Sequence, residues 1–157
     1  MVDAARRGMT SQTAVDAFLA QPALALVGMS RSGEGFGNYA RTALARQGYR
    51  VYPIHPSADT IEGHPCYHRF ADLPEHVDAV LIVVPPEEAV IVVKEAAAAG
   101  IHHVWLQQGA ESPQVLDACR ETGVDAVAGE CILMFAKPTG FHKAHRLLWK
   151  MIGRLPA

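Results

Sequence analysis

At 157 residues, 50% of them hydrophobic and 19% charged, the chain has apolar material for one self-sufficient core and is poorly suited to disorder. A formal net charge of -2 supplies no global basic field, which argues against nucleic acid or an anionic membrane as partner. The three cysteines, Cys66, Cys119 and Cys131, have no CxxC spacing of the metal or redox kind.

Residues 1–15, MVDAARRGMTSQTAV, contain two arginines without a following apolar segment of signal-peptide length. No run approaches the roughly 20 apolar residues that span a bilayer. A soluble, cytoplasmic protein with reduced thiols is expected. Ala14, Val15, Phe18 and Leu19 share one face of a helix predicted over 10–19, with Thr10 or Ser11 as its N-cap and Pro22 as its stop.

Five apolar runs of strand length follow, at 23–28, 50–54, 78–84, 102–107 and 124–128. They are nearly continuous in Val, Ile, Leu and Ala, as strands covered on both faces are. Helices are predicted between them over 38–47, 87–99 and 113–122, with Gly48, Gly100 and Gly123 at their exits. This alternation predicts a single-domain α/β fold, a doubly wound parallel sheet of about five strands in the order 3-2-1-4-5. Residues 57–77 contain Pro65 and Pro74, which predict loops, a short strand near 65–68 and one helical turn near 72–75. A last helix is expected over 141–152. The organisation expected is a helical extension over 1–22 and one domain over 23–157.

Chemistry concentrates at the carboxyl ends of the predicted strands. After the first strand, Gly28-Met29-Ser30-Arg31-Ser32-Gly33 keeps the outer glycines of GxGxxG and places Ser30 at the middle one, with Gly35 and Gly37 lengthening the turn. Glycines let a backbone approach an anion, and the following helix adds its positive end. Ser30 and Ser32 can donate hydroxyl hydrogen bonds, and Arg31 a charge-assisted one. The alternative is a strand-to-helix turn that binds nothing.

The second strand leaves through Pro53-Ile54-His55-Pro56, a rigid and mostly apolar shelf with no acidic residue for a ribose. His55 is placed either at a ligand phosphate or in solvent. Val84-Pro85-Pro86 and the acidic pair Glu87-Glu88 fit a strand exit followed by a helix start. Gln107 and Gln108 bring two amides to the same edge, for a ligand or for turn backbone.

The order VGMSRSGEGFG, VYPIHP, VDAVLIVVPPEEA, AGIHHVWLQQGA and GVDAVAGECILM resembles the stand-alone CoA-binding protein family. That family is similar to the CoA-binding domain of the succinyl-CoA synthetase alpha subunit. The resemblance covers residues 24–131 and implies a Rossmann-like fold with coenzyme A, or an acyl-CoA, lying across the strand ends. It implies Ser30, Arg31 and Ser32 at the phosphates, in a loop shaped by Gly28, Gly33 and Gly37. Pro53, Ile54 and His55 would border the adenosine, Val84, Pro85 and Pro86 would flank the ligand, and Gln107 would face the pantetheine. His55 departs from the asparagine often found in such proteins. The synthetases carry a phosphorylated histidine in a further domain and a nucleotide-grasping subunit; neither is expected here, so no catalytic role is carried over. The expected role is a carrier, sensor or regulator.

Two other readings stand beside this one. An NAD(P)-dependent oxidoreductase would use Arg31 at a 2′-phosphate. A protein-interaction module would use Leu148, Trp149 and Ile152 as apolar anchors. His142 and His145 are three apart, but a solvated basic face explains FHKAHR better than a metal site. His102 and His103 are expected on opposite faces of a strand. Cys131 is expected to be buried, with a disulfide to a ligand thiol as the alternative.

Overall fold

The apolar runs fold into strands and the stretches between them into helices over residues 10–136, the part of the chain that the computed structural model describes. The chain begins with helix α1 (Gln12–Leu19), capped by the Ser11 side chain, which accepts from the Ala14 N–H at 3.1 Å. Strand β1 (Ala23–Val27), helix α2 (Phe36–Arg46) and strand β2 (Arg50–Ile54) follow. A small hairpin, β3 (Thr60–Ile61) and β4 (His64–Pro65), leads into a 3-10 turn at Phe70–Asp72. The rest alternates as β5 (Ala79–Ile82), α3 (Pro86–Ala98), β6 (His103–Gln107), α4 (Pro113–Thr122) and β7 (Asp125–Glu130), ending in a 3-10 turn at Ile132–Met134.

The five long strands form one parallel sheet in the order β2-β1-β5-β6-β7. The predicted order placed the third apolar run outside the second; instead β5 pairs with β1, through Ala25↔Val80 and Leu26↔Leu81. The reason lies between β2 and β5, where the hairpin replaces a crossover helix. The place beyond β2 is taken by Tyr67, in a single parallel bridge to Ile54. Its N–H donates to the Pro53 carbonyl and its own carbonyl accepts the His55 N–H, both at 2.9 Å. The short strand expected near 65–68 is thus a one-residue outer strand.

Period-two alternation sends successive strand side chains to opposite faces. Ala25, Val27, Val80, Ile82, Val104 and Leu106 pack with α3 and α4 residues such as Val93 and Leu116. Leu24, Leu26, Leu81, Trp105 and Val127 pack on the other face with Phe18 of α1 and Leu44 of α2. Trp105 is fully buried, edge-on to Phe18 at 5.3 Å and to Phe135 at 5.6 Å, and its Nε1–H donates to the Glu130 carbonyl at 3.0 Å. Each such aromatic contributes about 1.5–3 kcal/mol through burial alone.

Thr10, the other N-cap candidate, instead reaches the outer strand. Its hydroxyl accepts the Ala128 N–H at 2.9 Å and donates to the Ala128 carbonyl at 3.2 Å. At the opposite side, Glu75 ties residues 73–77 to β2 by accepting from Arg50 at 2.8 and 2.9 Å and from the Tyr52 hydroxyl. These donors hold the Glu75 carboxyl down at about 2. Among the described residues no helix is long and apolar enough to cross a membrane. The expected helix over 141–152, with His142, His145, Leu148, Trp149 and Ile152, lies outside the described residues.

Candidate functional site

The winding of the sheet reverses between β1 and β5, so the strand exits on either side of that line open a crevice at their carboxyl ends. Two glycines shape it. A Cβ on Gly28 (φ 125°) would stand 2.2 Å from the Val83 carbonyl oxygen, so the exits of β1 and β5 touch only because this residue has none. A Cβ on Gly37 would stand 2.5 Å from the Gly28 carbonyl oxygen, so α2 sits directly on the loop.

Between these points the loop is held by its own polar groups. The hydroxyls of Ser30 and Ser32 lie 2.7 Å apart, and Ser30 Oγ accepts the Ser32 N–H at 3.2 Å. Ser32 Oγ accepts the Glu34 N–H at 3.3 Å, and the Ser30 carbonyl accepts the Gly33 N–H at 3.2 Å. Helix α2 then starts at Gly35 with no side-chain cap and no acid in its first turn. Its first intrahelical bond runs from the Tyr39 N–H to the Gly35 carbonyl at 3.2 Å. The earlier amides have no acceptor within the helix, and the positive end of the helix dipole adds to them. The contrast is internal: α1 and α4 are capped by Ser11 and Ser112, and α3 opens on Glu87 and Glu88. This end of α2 suits an anion.

The exit of β2 lies beside the loop. The Arg31 guanidinium donates to Ser57 Oγ, joining the glycine loop to the 55–58 turn. His55 shapes that turn: its Nδ1 accepts the Ser57 N–H at 3.1 Å and the Ala58 N–H at 2.9 Å. Burial first, then the charges of Arg31 and His68, hold the imidazole below its ordinary range. On the other side, Gly28 abuts Val83, which brings the half-buried Val84 to the crevice, with Pro85 and Pro86 leading into α3. Three strand exits therefore meet: one anion-receptive, one a rigid proline shelf, one apolar.

A family model for the CoA binding domain matches residues 23–137. The chain belongs to the CoA binding domain family. It is similar to a conserved hypothetical protein from Pyrococcus furiosus at 39% identity, over 69% of this chain and 94% of that one, with a TM-score of 0.65. A hypothetical protein from Pyrococcus horikoshii OT3 matches at 28% identity and a TM-score of 0.72, over 80% of this chain and 89% of its own. The dinucleotide forming acetyl-coenzyme A synthetase 1 of Ca. Korarchaeum cryptofilum matches at 27% identity and a TM-score of 0.58. That match takes in 67% of this chain and 25% of the synthetase.

Within this CoA binding domain, Gly28, Ser30, Arg31, Ser32, Gly33 and Gly37 form one loop, and Pro53, Ile54 and His55 stand next to it. Gln107 is more distant, on β6, beyond β5 from the loop. It is 5% exposed, and its Oε1 accepts the Ile132 N–H at 3.1 Å. Its side-chain carbonyl is therefore committed to turn backbone. Gln108 likewise donates to the Gly129 carbonyl at 3.4 Å.

Sequence reasoning missed Asn38 and Glu62. Asn38 is 3% exposed; its Oδ1 accepts the Ser30 N–H at 2.8 Å, and its Nδ2 donates to the Ser30 carbonyl at 3.0 Å and to Glu62 Oε2 at 3.2 Å. A buried amide two residues into a helix was the available signal, but burial is not readable from one sequence. The expectation for His102 and His103 is corrected. Both approach Asp78, with His102 Nδ1 at 2.7 Å and His103 Nε2 at 3.7 Å from its two oxygens. His102 precedes β6, so the pleat does not separate the rings. They lie at the amino end of the sheet, away from the glycine loop, and no group of three metal-ligating side chains occurs among the described residues. Cys66 and Cys119 are buried and Cys131 partly so; all three are free thiols, and burial pushes Cys119 up to about 12.

Proposed function

We propose that this domain binds coenzyme A or an acyl-CoA noncovalently, across the carboxyl ends of β1, β2 and β5. The observation that carries the reading is the start of α2, which has no side-chain cap and no acid in its own first turn, set close behind the loop by two glycines. The pyrophosphate is assigned to Ser30–Gly33 and the first amides of α2, with Arg31 as its charged partner. Pro53, Ile54 and His55 border the adenosine, and Val84, Pro85 and Pro86 flank the chain that follows. The absence of an acid at 53–56 favours this ligand over a nicotinamide dinucleotide, whose ribose is usually gripped by one.

The role is binding without catalysis, as a carrier, sensor or regulator. In this reading His55 shapes the turn beside the ligand, its Nδ1 accepting two backbone amides. A thermal-shift panel of CoA, acetyl-CoA, NAD, NADPH and ATP tests the reading. CoA species are expected to give the largest rise, with stabilisation of about 2.7 kcal/mol at a hundredfold excess over Kd. Arg31→Ala should weaken CoA binding by roughly tenfold or more, the scale of a lost charged hydrogen bond. A larger rise with NADPH, or a parent-like response of Arg31→Ala, would reject the site as assigned.

A further inference from the structure

We infer that Glu62 is a positioning residue for the glycine loop: its carboxylate braces Asn38, and Asn38 holds the Ser30 backbone in the shape that receives the pyrophosphate. The inference rests on the binding reading above and adds a residue from a distant hairpin to it.

The first observation is conformational. Glu62 and Gly63 are the two central residues of the β3–β4 hairpin, with Ile61 paired to His64 on either side. Both have positive φ, 53° and 76°. Such turns favour Asn, Asp or Gly, and no other described non-glycine residue has positive φ. Turn chemistry therefore does not select a glutamate here. An outlier of this kind points to a demand from outside the turn.

The second observation shows the demand. Glu62 Oε2 accepts from Asn38 Nδ2 at 3.2 Å, and Glu62 Oε1 lies 3.1 Å from where a Gly33 Cβ would stand. The carboxylate thus rests against both ends of the loop motif. The hairpin beneath it is fixed, since Ile61 is 2% exposed in the core that also holds Leu44 and Ala40 of α2. Asn38 has two amide hydrogens; one goes to the Ser30 carbonyl and the other to Glu62. Removing the carboxylate leaves a buried amide donor without its partner and frees the group that pins Ser30.

The test uses Glu62→Gly and Glu62→Gln in the full chain, with three readouts: melting temperature, hydrogen exchange of the Ser30 amide without ligand, and CoA affinity by calorimetry. Relief of the turn and loss of the Asn38 bond act with opposite sign, so Glu62→Gly should melt within a few degrees of the parent. The same variant should show faster Ser30 exchange and a roughly three- to tenfold weaker affinity for CoA. Glutamine keeps an acceptor for Asn38, so Glu62→Gln should stay near the parent in all three. Unchanged Ser30 exchange in Glu62→Gly overturns the inference, as does a larger fall in its melting temperature with faster exchange throughout the domain. Equal impairment of Glu62→Gln also overturns it. If the parent itself takes up no CoA, the binding reading fails, and the Ser30 exchange rates still decide the role of Glu62.

Discussion

His55 Nδ1 accepts two backbone amides, so the ring proton sits on Nε2 and a second proton has no place without breaking both bonds. Asparagine, with a side-chain oxygen at a similar reach, satisfies the same turn. Burial and the neighbouring charges of Arg31 and His68 depress the folded pKa below 6.5. The unfolded chain therefore binds the proton first as pH falls. The stability from neutral His55 is fully present above about 6.5 and is lost as pH drops through that value toward the folded pKa. His68 works with the opposite sign, since its hydrogen bond to Asp59 raises it, but it is exposed and contributes little. Melting temperatures of the parent and His55→Asn should thus converge near pH 8 and separate toward pH 5, with the parent falling behind. His55→Ala, lacking any acceptor, should be less stable than both at every pH. The asparagine-like use of this ring was not legible beforehand, because it depends on where the Ser57 and Ala58 amides point.

Helix α2 is placed by a backbone-to-backbone approach that only glycine permits. A Cβ at position 37 meets the Gly28 carbonyl oxygen at 2.5 Å, an atom that cannot swing aside. Gly37→Ala should cost about 1–3 kcal/mol, as overpacking does, and lower the melting temperature by about 2–4 °C per kcal/mol. CoA affinity should fall with it, because the loop is displaced from the first amides of α2. Elements of this kind were largely legible. Apolar runs predict every long strand, with glycine beside four of them and Pro85-Pro86 after β5, and α4 forms over the 113–122 stretch expected for it. The hairpin was not, because β3 and β4 are two residues each and carry no periodicity. With it went Glu62, whose partner lies 24 residues away.

At the scale of the whole molecule, the fold class follows from the alternation of apolar runs and glycine exits, which also point to the sheet edge of the proposed site. Strand order did not follow, because one residue, Tyr67, fills the place of an outer strand. That residue and Thr10 stand at opposite flanks of the sheet, and each satisfies backbone groups that a strand would otherwise present outward. Thr10→Val withdraws the two bonds to Ala128 while keeping the side-chain shape. It should cost about 1–2 kcal/mol and raise light scattering as protein concentration increases, with ligand affinity unchanged.

Parallel sheets grow by edge-to-edge addition when a flank is left as a template. Among the described residues, Tyr67 at one flank and Thr10 at the other each occupy backbone groups that such addition would need, so loosening either one offers the sheet a new neighbour.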